Sequence, residues 1–117
     1  MDSGLRQFPL IRGLQSFGWI NQFEDEVAII LEHPTDPNTP PIQWFIHGTQ
    51  TKQGVVKPLC EKYGLQFGME LDENSLLKAI VISGPILEKK QVDELIHGAT
   101  WAFRRALEDQ TDKEKKQ

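Results

Sequence analysis

The side chains that could do chemistry in this sequence are few and scattered. There are three histidines, His33, His47 and His97, and one cysteine, Cys60. A metal site needs several ligands converging, and its usual sequence signs are H-x-x-x-H, H-E-x-x-H or C-x-x-C. None of these spacings occurs, so the sequence predicts no metal centre. Cys60 lies on the apolar stripe Val55, Val56, Leu59, Cys60, Tyr63, where it reads as a small buried hydrophobe rather than a nucleophile. Asp72 and Glu73 stand side by side in Asp72-Glu73-Asn74-Ser75, which is turn chemistry more than an acid/base pair. One stretch could bind an anion. Phe45 to Thr51 reads as strand, glycine, threonine and then helix, so His47, Thr49 and Thr51 would ring a helix N-terminus able to seat a phosphate. It has one glycine and no G-K-[ST], so it matches neither a Walker nor a Rossmann loop. It stands as an alternative ligand site, for a small-molecule or phosphate-binding domain or a small enzyme. No cofactor is expected.

The residue that stands out is an aromatic one. Glu88 to Asp109 reads as a long amphipathic helix. Val92, Leu95, Ile96, Ala99, Ala102, Phe103, Ala106 and Leu107 share one face at about 100° per residue. Trp101 falls on the opposite, polar face with His97 one turn before it. It must be covered by another part of this chain or by a second chain, since interfaces are rich in aromatic residues. Gln43, Phe45 and His47 would share the outer face of a strand Ile42–His47. The sequence therefore predicts a partner or dimer interface made of Trp101, His97, Phe45 and Gln43.

Composition narrows the classes of function. The chain has 117 residues, enough for one domain, with 38% apolar and 26% charged residues. Its net charge is −4 and it has no basic block, which argues against binding a phosphate backbone and so against nucleic acid. A single cysteine permits no internal disulfide, in keeping with a reducing, cytoplasmic setting. The N-terminal segment lacks a basic stretch followed by an apolar run, so no signal peptide is expected. No stretch approaches the roughly 20 apolar residues of a membrane span, so no membrane association is expected.

The elements that would position these residues follow in order. A short helix is expected over Pro9–Ser16, then a first strand Trp19–Phe23 and a turn at Glu24-Asp25. Val27–Glu32 is a β-branched strand. His33–Pro41 holds four of the seven prolines and reads as a loop leading to a strand Ile42–His47 paired with Val27–Glu32. A helix from about Val56 ends at Gly64. Leu65–Leu71 alternates as a half-buried strand, and Leu76–Ser83 completes a hairpin with it. The long helix follows, and Gln110–Gln117 is a charged, flexible tail. Residues 1–109 thus form one α+β domain: a two-layer sandwich of α-β-β-β-α-β-β-α order, with an antiparallel sheet and a long C-terminal helix.

This order resembles the type III secretion chaperone-like fold, shared by CesT-type effector chaperones and YbjN-like proteins. The residues that carry the likeness are Phe67-Gly68-Met69-Glu70-Leu71-Asp72-Glu73-Asn74 running into Leu77–Ser83, then Gly-Pro-Ile-Leu and the amphipathic helix Gln91–Leu107. The likeness is best over the last half of the chain. Pro9 and Gly13 depart from the firm first helix of that fold. The resemblance implies a small, acidic, cytoplasmic homodimer without enzymatic activity, which binds an extended client polypeptide across its sheet and first helix. The expected function is a chaperone- or adaptor-like protein-binding module.

Overall fold

The computed structural model describes residues 6–84 and 88–115, with side chains through residue 109. Three strands come first, β1 (Arg6–Arg12), β2 (Gln15–Gln22) and β3 (Glu26–Thr35). Two short helices follow, α1 (Pro40–His47) and α2 (Val56–Tyr63). Then come a hairpin, β4 (Gln66–Leu71) and β5 (Leu77–Ser83), and the long helix α3 (Lys89–Lys115). The strands form one antiparallel sheet in the order β1-β2-β3-β5-β4. The architecture is therefore α+β, with a five-stranded sheet and a long C-terminal helix.

The core lies between one sheet face and the helices. Leu10, Ile20, Val27, Ile29, Ile80 and Ile82 come from the strands. Val92, Leu95, Ala99, Ala102, Phe103 and Ala106 come from α3, which buries the stripe its periodicity predicts. The alternate residues Trp19, Ile30 and Val81 are half-buried and stand outside this cluster, on the other sheet face. Helix α3 packs on β1, β2 and β3, while α1 packs on α3 and α2.

Two sequence expectations give way. Pro9–Ser16 is not a helix but the end of β1, a turn and the start of β2. Arg12 pairs with Gln15, which leaves Gly13-Leu14 as a two-residue turn with Gly13 at φ 63. Pro9 lies in β1, which is an edge strand, the kind of strand to which proline within a sheet is largely confined. Ile42–His47 is not a strand but most of α1, so β3 pairs with β2 and β5 instead. Pro40 and Pro41 fall at the first helical positions, where no N–H is needed. Ile42, Phe45 and Ile46, at steps of three and one, all turn inward.

Smaller corrections concern lengths and edges. Strand β3 runs on to Thr35 through Pro34, so only the rest of His33–Pro41 is loop and helix start. β4 is the second edge strand, and of its expected inner set only Phe67 packs against the core, while Met69 and Leu71 stand at the surface. Helix α3 continues past Asp109 to Lys115, into the segment the sequence reads as a tail. Residues 85–87, the expected Gly-Pro-Ile-Leu link after Gly84, lie outside the described residues.

Candidate functional site

The helix layer carries an aromatic pair with a hollow on either side. Trp101 on α3 is 43% exposed and meets Trp44 on α1, with ring centroids 5.0 Å apart and planes at 73°. Edge-to-face contact suits the ring quadrupoles. Trp101 is thus partly covered by its own chain, yet two-fifths of it faces solvent. Trp44 reaches it because α1 is a helix. A strand would have put Trp44 on one face with Ile42 and Ile46, whereas the helix buries Ile42, Phe45 and Ile46 and turns Trp44 toward α3.

On one side of the pair is an open hollow of about 1170 Å³ between α2 and the first half of α3. Pro58, Lys62, Tyr63, Lys90, Glu94 and His97 are among its walls. Its far end is braced. The Gln91 side chain accepts the Glu88 N–H at 2.8 Å and donates to Tyr63 Oη at 2.9 Å. The first bond closes the start of α3 and the second ties it to the end of α2. On the other side is a hollow of about 700 Å³ lined by Pro40, Pro41, Thr49, Lys52, Arg104 and Arg105, with Asp109 at its edge. The loop that presents Lys52 is held by its own bonds. Lys52 N–H donates to Thr49 Oγ1 at 2.9 Å, and Thr49 N–H donates to the Lys52 carbonyl at 2.7 Å. Val55 N–H then donates to the Phe45 carbonyl at 2.9 Å, which fastens the loop to α1.

The predicted interface residues separate. Trp101 and His97 share the first hollow. Phe45 is 0% exposed and packs on Phe103 with centroids 6.0 Å apart, so it belongs to the core. Gln43 is partly buried, and its Nε2 donates to the Pro37 carbonyl at 2.8 Å, which holds the turn before α1. The alternative ligand residues sit differently from their sequence reading. His47 ends α1 and faces Phe67 with ring centroids 6.2 Å apart. Gly48 and Thr49 therefore follow a helix C-terminus, whose carbonyls present partial negative charge, rather than precede an N-terminus. Thr49 lines the second hollow, and Thr51 is exposed in the loop.

The remaining chemical candidates resolve into structure. Asp72 Oδ1 accepts the N–H groups of Asn74 and Leu76 at 2.8 and 3.0 Å, which builds the β4–β5 turn. Cys60 is buried, and desolvation, with the Glu61 charge adding to it, pushes its thiol above the ordinary cysteine range. Among the described residues, no three His, Cys, Asp or Glu side chains gather as metal ligands. No helix among them is long and apolar enough to cross a membrane.

Lys52, Arg104, Arg105 and the Pro40-Pro41 wall are brought together only by the fold. The available signal was Thr39-Pro40-Pro41 before Ile42, Phe45 and Ile46, a helix start followed by a helical stripe. No protein-family model matches the chain, and neither a curated protein nor a solved structure matches it.

Proposed function

We propose that this chain is a non-enzymatic polypeptide-binding module, chaperone- or adaptor-like in action, with Trp101 as its anchor. The observation that carries the reading is the Trp44–Trp101 pair, half-open between two hollows on the helix layer. Partly exposed tryptophans held in a fixed geometry lose little entropy on contact and bury much area, which is why they recur as binding anchors. Three meandering strands, helices, a hairpin and a long helix are also the order expected from the type III secretion chaperone-like resemblance, without its leading helix among the described residues. A cytoplasmic homodimer belongs to the same proposal, with the partner or second copy seated over Trp101 and His97.

The test is affinity capture from the source lysate with wild type and Trp101→Asp, alongside the solution mass of each. The expected result is one protein, a client or a second copy, held in stoichiometric amount by wild type and lost in the variant at unchanged circular dichroism. Equal capture and equal mass for both proteins would remove Trp101 as the anchor.

A further inference from the structure

We propose that the two hollows act as one trough, and that its occupant is an extended acidic peptide segment whose apolar side chain covers the Trp44–Trp101 pair. This rests on the polypeptide-binding reading and gives its partner a chemistry. The trough is electrostatically unlike the rest of the chain. Lys52, Lys62, Lys89, Lys90, Arg104 and Arg105 line it, six of the chain's 13 lysines and arginines. Among the described residues, Asp93, Glu94 and Asp109 are the acidic side chains that line it with them. Glu108 beside the two arginines leaves the trough cationic on a chain of net charge −4.

The arginine end also has donors to spare. Arg104 and Arg105 share the Glu108 carboxylate at 3.6 and 3.7 Å. Both contacts are longer than the 2.7–2.9 Å typical of a charge-assisted hydrogen bond. Arg105 keeps 54% of its side chain exposed and Arg104 25%, so part of each remains open to a further acceptor. A carboxylate entering the second hollow would supply the planar acceptor that a guanidinium fork engages best. The wall beside it, Pro40, Pro41, Trp44 and Trp101, is the kind of aromatic and proline surface on which extended chains dock.

Single-stranded nucleic acid would use the same cations but fits less well. Successive bases stack on roughly parallel platforms, whereas these two rings stand at 73° to each other and cannot both present one. Asp93, Glu94 and Asp109 also interrupt the line of cations that a continuous phosphate backbone would follow. A peptide carries its charges at separate positions and can leave those points neutral.

The experiment is selection of a random displayed peptide library on the immobilised full chain. Fluorescence anisotropy then follows the selected peptides against wild type, Trp101→Ala and the double variant Lys52→Glu/Arg105→Glu. Selected peptides should be rich in Asp and Glu beside an aromatic, proline or leucine residue. Trp101→Ala should weaken them about 30-fold. The double charge reversal should weaken them roughly tenfold or more, with circular dichroism unchanged. Lys52→Gln/Arg105→Gln gives the same sign if the reversal disturbs α3. The proposal is overturned by peptides without acidic residues, by no enrichment, by binding indifferent to the charge variants, or by poly(U) RNA displacing the peptides. A protein partner lost with Trp101→Asp but untouched by charge reversal would leave the polypeptide-binding reading standing and remove this one. No Trp101-dependent partner at all would remove both.

Discussion

Phe45 and Trp101 show how one residue class divides between core and surface. Both are aromatic and both sit on the helix layer. Phe45 has no solvent exposure and lies edge-on to Phe103, while Trp101 keeps 43% of its surface in water. Phe45→Ala should therefore cost about 3–5 kcal/mol of stability, measured by urea denaturation. A loss below about 1 kcal/mol would put Phe45 outside the core. Trp101→Asp should leave the fold intact and act on binding alone. Cys60 belongs with Phe45. Its thiolate is disfavoured by desolvation and by Glu61, so less of the reactive form exists at neutral pH than for a free thiol. Alkylation in the native protein should be slow at neutral pH, should rise only above the ordinary thiol range, and should become fast in urea. Equal rates in buffer and urea would contradict that burial.

At the scale of elements, the deciding segments are short. Ile42–His47 satisfies both a period of two and a period of 3.6, and an apolar run of that length does not choose between them. What chooses is the neighbour. Helix α1 can bury Ile42, Phe45 and Ile46 against α3 and α2, while its prolines occupy the first two helical positions, whose N–H groups have no partner within the helix. In β2, Gly18 stands at φ 141 beside the β3 backbone, and a β-carbon there would run into the Ile30 carbonyl. Gly18→Ala should destabilise the protein by about 1–3 kcal/mol, read as a lower urea midpoint. An unchanged midpoint would mean the β2–β3 ladder can shift to accommodate it. By contrast β4–β5 was legible because its turn is written locally in Asp72 and Asn74, and α2 because Gly64 closes it in the left-handed conformation.

At the scale of the molecule, the sheet sets the hierarchy of stability. β2, β3 and β5 are paired on both sides, β1 and β4 on one only. Amide hydrogen exchange should be slowest in β2, β3 and β5 and faster in β1 and β4, because edge amides open without the global transition. Exchange in β4 as slow as in β5 would point to a partner on that edge. Charge is also distributed at this scale. An acidic chain sets six of its 13 lysines and arginines along the two hollows, and that local excess is invisible in a net charge.

By itself the sequence determined the long helix, the β3 strand, the α2 helix and the closing hairpin. Each is either long enough for its period to be unambiguous or bounded by turn residues that act within a few positions. Only tertiary structure decided that residues 9–16 join a hairpin and that residues 42–47 form a helix. It alone brought Trp44 of one helix against Trp101 of another. Short segments carry too little periodic information to select their own conformation, and the free energy that selects it comes from surfaces buried against elements far away in the chain.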